Sequence, residues 1–291
     1  MIRKIIKASR PATLVVSIIS TTLGIICAFK AGFLLGNASL NTVKAVLVTI
    51  AGISLQSGVN LINNFFEEEV EKELQLKRTY KFIGFIRAEE EILTFKVGLF
   101  FFALTACIGI LLSFYSGIEL FYIEVIGIFA AYGYSGKGIN YKNYGLGAFM
   151  SFIMMGPLMT YASYFVFSSS FSIKPILYSF TGGLLIPAIL MANEIRDYME
   201  DKRKGIGTLS VRIGYKGGKL IFTALVILAY VNTVILVLIK ELKVFSLAVF
   251  ITVYIAKDIR CYIEGDKKKL IPQTAKTYLV FGIILIISLI I

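Results

Sequence analysis

The chain has 291 residues, of which 57% are hydrophobic and only 16% charged, and its mean hydropathy is +0.80; that is too little charge to cover a water-soluble domain of this size. The absence of histidine excludes Ser-His-Asp hydrolysis, histidine-ligated zinc or haem, and histidine proton shuttles. Cys27 and Cys107 lie in apolar stretches, Cys261 stands alone, and no CxxC spacing exists, which leaves cysteine chemistry without support.

A spanning helix needs about 20 mainly apolar residues. In chain order the candidates are Ala12–Leu35, Thr42–Phe66, Ile92–Phe114, Ile118–Tyr134, Tyr144–Phe167, Ile176–Ala192, Leu220–Ile239, Val244–Ala256 and Thr277–Ile291. The fourth and eighth are the shortest. The first run is too long for a cleavable signal peptide and is followed by further spans. Residues 1–291 are therefore expected to form one all-α domain, a nine-transmembrane-helix bundle with no soluble module.

Lysine and arginine set the orientation. The N-terminus carries Arg3, Lys4, Lys7 and Arg10, and the second, fourth, sixth and eighth connections hold most of the rest. The opposite connections contribute only Lys44, Lys174, Lys240 and Lys243. The positive-inside rule then places the N-terminus in the cytoplasm and the C-terminus outside, in a plasma membrane. This bias and attraction to anionic lipid account for the net charge of +12 without a nucleic-acid partner. Tryptophan is absent, so tyrosines such as Tyr115, Tyr122, Tyr161 and Tyr164 are expected to anchor the interfaces.

Polar residues inside apolar spans are costly and point to function. The second span carries Gln56, Asn60, Asn63 and Asn64, followed by Glu67 and Glu71; the sixth ends in Asn193, Glu194, Arg196, Asp197 and Asp201. Both contain Asn-x3-acid-x3-acid, as Asn63–Glu67–Glu71 and Asn193–Asp197–Asp201. That spacing stacks three side chains on one helix face. Like charges so placed repel, and two such faces meeting across a bundle call for cations between them. Carboxylate and amide oxygens suit Mg²⁺, which shares its shell with phosphate oxygens. The residues thus point to a site for a diphosphate and two Mg²⁺ at the cytoplasmic face.

The segment Gln56-Ser-Gly-Val-Asn60-Leu-Ile-Asn63-Asn64-Phe-Phe-Glu67 resembles the first motif of the UbiA superfamily of intramembrane prenyltransferases, nearest to the branch that prenylates 1,4-dihydroxy-2-naphthoate in menaquinone synthesis. Asn193 through Gly214 is similar to that family's second motif over its whole length. Ser9-Arg10-Pro11, Tyr134-Ser-Gly-Lys137 and Tyr144-Gly-Leu-Gly147 add weaker likenesses. Asn64, Glu67 and Glu71 stand where the family's first motif has aspartates, and Ala148 stands where an acidic residue often follows. The resemblance implies a nine-helix bundle with a central cavity facing the cytoplasm, and ionisation of a polyprenyl diphosphate with transfer to an aromatic or quinone-precursor acceptor. In that reading Glu67, Glu71, Asp197 and Asp201 hold two Mg²⁺, aided by Asn60, Asn63, Asn64 and Asn193. Arg78, Lys137, Arg196, Lys204 and Arg212 bind the diphosphate, and Tyr134, Phe65, Phe66, Tyr132 or Tyr161 faces the allyl cation. A UbiA-type terpene cyclase, transfer to a non-aromatic acceptor, and an ion-coupled transporter are the competing readings. Against the transporter, both acid ladders sit at helix ends rather than at the midplane.

Overall fold

The first apolar run does not begin as one straight helix. In the computed structural model, which describes residues 2–67 and 79–291, α1 (Ile2–Ala8) stops before Pro11 and α2 (Val15–Lys30) resumes after a short 3₁₀ turn at Pro11–Thr13. Pro11 lacks an N–H and disfavours the right-handed helical region for its predecessor. Arg10 accordingly takes a left-handed conformation, φ 52°, and the two helical pieces are bent by 50°.

The remaining helices are α3 (Ala38–Glu67), α4 (Glu89–Ser116), α5 (Ile118–Gly133), α6 (Gly147–Ile153), α7 (Met159–Ser168), α8 (Lys174–Gly183), α9 (Leu185–Lys204), α10 (Leu209–Leu238), α11 (Thr252–Ala256), α12 (Ile259–Glu264) and α13 (Leu270–Ile290). Among the described residues six helical stretches are long and apolar enough to cross a membrane, or seven if the bent α1–α2 pair is one span. The expected fourth and eighth spans are also helical, but α5 has only 16 residues and Val244–Ala256 begins as a 3₁₀ helix. Three helices extend past their apolar cores. Helix α9 runs on to Lys204, α10 starts at Leu209 rather than Leu220, and α13 starts at Leu270 rather than Thr277. The added turns carry charged or polar residues that hydropathy discounts. Burial of Leu270, Thr274 and Ala275 against neighbouring helices holds the extra turns of α13. In α10 the non-helical Gly214 (φ 82°) separates the polar first turns from the apolar span.

One element was not legible as a span or a charged loop. Thr79–Phe82 (β1) and Phe85–Ala88 (β2) form an antiparallel hairpin through Ile83 and Gly84, both at positive φ, the pairing that a tight two-residue turn requires. The hairpin clamps the end of α3. Arg87 Nε donates to the Phe65 carbonyl at 3.2 Å, and Phe65 packs against Phe95 with ring centroids 4.8 Å apart.

Alternate connections meet at opposite ends of the bundle. At one end Lys4 pairs with Glu90, Arg212 donates to Asn143 O, and Lys219 pairs with Glu264. At the other, Lys44 and Ser116 both donate to Val166 O, and Tyr178 donates to Glu241 O. Between them, helices approach closely where residues are small. A Cβ at Gly24 of α2 would lie 2.3 Å from Thr160 O of α7, so only glycine admits that crossing.

Candidate active site

A cavity of about 370 Å³ runs inside the bundle, walled by α2, α3, α4, α5, α7 and α9. Its polar mouth is Arg10, Asn60, Tyr134, Tyr141, Asn193 and Arg196; its walls are mainly apolar and include Met150, Met154, Met155 and Met159. Methionine side chains are adaptable lining for a flexible apolar ligand. Met154–Leu158 forms a π-helical turn around Pro157 between α6 and α7, a distortion frequent at functional sites.

On α9 the expected ladder is in place. Asn193 lines the cavity, Asp197 is half-buried and Asp201 is buried. Arg196 grips Asp197 with two bonds, Nε to Oδ1 at 2.6 Å and Nη2 to Oδ2 at 2.5 Å, and also donates to Asn193 Oδ1 at 2.9 Å. Thr208 Oγ1 lies 3.4 Å from Asp201 Oδ2. Glu194, beside the ladder rather than in line with it, is 2% exposed and accepts from the Ser210 N–H at 2.8 Å, capping the start of α10. It is therefore a support for the ladder rather than a member of it.

On α3 the amides divide. Gln56 accepts from Ser17 and donates to Thr13 O at 2.7 Å, while Asn60 Nδ2 donates to Ser9 O at 2.8 Å and to Thr13 Oγ1 at 3.3 Å. These bonds hold the broken segment that presents Arg10 to the cavity. Asn63 is buried and Asn64 half-buried one turn on, beside the Phe65 clamp. The side chain of Glu67, and Glu71 and Arg78 entirely, lie outside the described residues.

The expected cations fall differently from the reading of the sequence. Lys137 is exposed, with Nζ 3.4 Å from Ile83 O and 5.9 Å from the centroid of the Phe85 ring. Lys204 pairs with Glu200 at 2.8 Å. Arg212 donates to Gly207 O and Asn143 O, stapling two loops together. The cation that turns inward is Lys142, 5% exposed and 5.8 Å from the centroid of the Tyr134 ring. Burial, and then the charge of Arg10, push its ammonium down to about 8, against the pull of Asp201, Glu194 and Asp197. Of the aromatics named from the sequence, only Tyr134 lines the cavity, joined by Tyr141 with ring centroids 5.7 Å apart. Phe65 and Phe66 pack with Phe82, Phe85 and Phe95 in the hairpin cluster instead. In the sequence Arg10 carries only a weak motif likeness and Lys142 is one more positive-inside charge; the signals that mark them are the Arg-Pro break and a lysine next to Tyr141.

The donors on α9 fit Mg²⁺ in kind: hard oxygens from Asn193, Asp197 and Asp201 spaced along two turns. Among the described residues no group of three or more acids or cysteines is close enough to hold a metal by itself. An ion bound by few protein carboxylates and completed by phosphate oxygens is what that donor set accommodates.

A helical membrane bundle with an apolar cavity, a cationic and amide-rich mouth and an acid ladder at that mouth has the form of an enzyme acting on an anionic lipid. The model of the UbiA prenyltransferase family matches residues 17–280, and the chain belongs to that family of prenyl-transferring enzymes. It is 25% identical to UbiA prenyltransferase domain-containing protein 1 of Xenopus tropicalis, over 97% of this chain and 80% of the relative. It is 28% identical to the 1,4-dihydroxy-2-naphthoate octaprenyltransferase of Bacillus subtilis (strain 168), over 65% of this chain and 63% of that one. The fold is shared with a UbiA homologue from Aeropyrum pernix K1, at TM-score 0.63 and 16% identity over 94% of this chain and 96% of that one. A homologue from Archaeoglobus fulgidus, bound to DMAPP and Mg²⁺, aligns at TM-score 0.58 and 14% identity over 97% and 99% of the two chains.

Proposed function

We propose that the protein ionises a polyprenyl diphosphate at the cavity mouth and joins the prenyl group to an aromatic acceptor, 1,4-dihydroxy-2-naphthoate or a related quinone precursor. The carrying observation is that Arg10, Asn193 and Arg196 line the mouth of a mainly apolar cavity, with Asp197 held by Arg196 and with Asp201 and the buried Lys142 close behind them. The Bacillus relative named for that naphthoate reaction supports the choice of acceptor.

Two Mg²⁺ held by Asp197, Asp201, Glu67 and Glu71, with Asn63, Asn64 and Asn193 alongside, would neutralise the charge that builds on the departing diphosphate. The chain's own cations divide the remaining work. Arg196 has a fork suited to two diphosphate oxygens once it exchanges its hold on Asp197. Lys142 and Arg10 supply fixed positive charge from the loop after α5 and from the break before α2. As the C–O bond breaks, its electron pair leaves with the diphosphate. Tyr134 and Tyr141 line the mouth where the allylic cation forms, and the π face of such a ring can stabilise it. The apolar walls keep water from it. The acceptor ring then forms the new C–C bond and regains aromaticity by releasing the group that its attacked carbon carried.

The mouth is read as cytoplasmic, with the N-terminus on the same side, the C-terminus outside, and the bundle counted as nine spans in the plasma membrane. Purified protein incubated with Mg²⁺ and geranylgeranyl diphosphate, with and without dihydroxynaphthoate, tests the reaction by product mass. A prenylated naphthoquinol is expected only with both substrates. Hydrocarbon products without the acceptor would favour a cyclase, and no diphosphate release at all would overturn ionisation at this site.

A further inference from the structure

A carboxyl group inside an apolar spanning helix is costly and faces a cavity when it occurs. Helix α5 turns Tyr122, Val125, Ile126 and Phe129 outward, and its inner stripe, which lines the cavity, includes Glu124. The carboxyl packs directly on the backbone of α4: a Cβ at Gly109 would lie 1.9 Å from Cδ and from both carboxyl oxygens. Oε1 is buried and has no hydrogen-bond partner among the described residues. Tyr134 stands ten residues further along the chain, so Glu124 lies about 15 Å below the mouth at roughly 1.5 Å per residue. Beyond it the cavity continues between Leu112, Leu120 and Val166.

A carboxyl in the wall at this depth conflicts with an uninterrupted apolar tunnel for a long prenyl tail. An apolar chain end pressed on the carboxyl would strip it of water and leave the open oxygen unbonded, which is unfavourable. A shorter chain leaves room for water at that oxygen. The cavity, about 370 Å³, is also at the small end for ligand pockets. We infer that Glu124 is a specificity residue that limits the prenyl chain length the cavity accepts, so that the enzyme selects short-chain prenyl diphosphates. The inference rests on the prenyl-diphosphate reading above and narrows its donor.

Binding of geranyl, farnesyl, geranylgeranyl and longer prenyl thiodiphosphates, measured with Mg²⁺ by competition and by thermal stabilisation, separates the two. In the wild type, affinity should fall at least tenfold beyond some length in the series. Glu124→Leu should abolish that fall, and Glu124→Gln, which keeps a polar group of similar size at this point, should retain it. Should the Leu variant not be recovered folded, Glu124→Met makes the same test. A wild type without a length break, or an apolar variant with an unchanged one, overturns the inference. A wild type that binds no prenyl thiodiphosphate of any length overturns the prenyl-diphosphate reading instead, and the length limit falls with it.

Discussion

Glu194 offers a test of how the acid ladder is held. Its carboxylate is 2% exposed and accepts the Ser210 N–H at 2.8 Å, the second residue of α10, whose first-turn donors have no partner within the helix. A hydrogen bond to a charged group contributes roughly 1.5–3 kcal/mol, and truncation leaves a buried N–H unbonded. Glu194→Ala should therefore lose about 3 kcal/mol. Glu194→Gln keeps an acceptor oxygen and sheds the cost of burying a charge, so it should stay within about 1 kcal/mol of wild type. Unfolding of the purified protein in detergent, followed by heat or denaturant, reads this directly. The functional consequence follows from position: the same junction carries Thr208, which meets Asp201, so Glu194→Ala should also raise KM for the donor diphosphate. Wild-type stability in the Ala variant, or equal damage from Gln and Ala, would refute the capping role.

Asp201→Ala should abolish Mg²⁺-dependent diphosphate release while leaving the unfolding midpoint within a few degrees of wild type; retained turnover at limiting Mg²⁺ would contradict the ladder's role. Lys142 is held at about 8 by burial and then Arg10, so kcat/KM for the donor should fall as pH rises through that value, and Lys142→Arg should move the fall to higher pH. The stability sign is opposite: with the folded value below the unfolded one, the charged lysine costs stability at pH 7, and the cost is relieved between about 8 and 10.5. Asn60→Ala and Arg10→Ala should each weaken donor binding, and the double variant should be markedly less than additive because Asn60 acts through the Arg10 turn. Gly24→Ala would drive a methyl to 2.3 Å from Thr160 O; overpacking of this kind costs about 1–3 kcal/mol, to be read as a lower unfolding midpoint.

Local pattern made much of this molecule legible. Apolar runs became helices, and the residues Asn60 and Asn193, far apart in sequence, line one cavity mouth. What stayed hidden depends on tertiary burial. Lys142 and Lys137 are five residues apart in one loop and equally basic on paper, yet one is buried beside Tyr134 and the other is exposed against the hairpin. Hydropathy also truncated α9, α10 and α13 where charged or polar turns continue the helix. The hairpin escaped because its short strands sit within a charged connection and are fixed by contacts with α3 and α4.

The polar ladders look alike in sequence but carry different loads. On α9, the oxygens of Asn193 and Asp197 are met by the side chain of Arg196, a donor that can turn to a substrate phosphate instead. On α3, Gln56 and Asn60 bond backbone groups of residues 9–17, and no ligand can replace those bonds without freeing polar groups inside the membrane. The α3 amides are thus committed to building the site, whereas the α9 oxygens remain exchangeable. Asn60 can therefore matter to turnover without touching the reacting atoms, because the break at Arg10-Pro11 that it stabilises is what puts a guanidinium at the cavity mouth. The proline break, the αL arginine and the amides of α3 form one device: the break frees backbone groups, the amides satisfy them, and the cation is delivered to the same end of the cavity as the acids of α9.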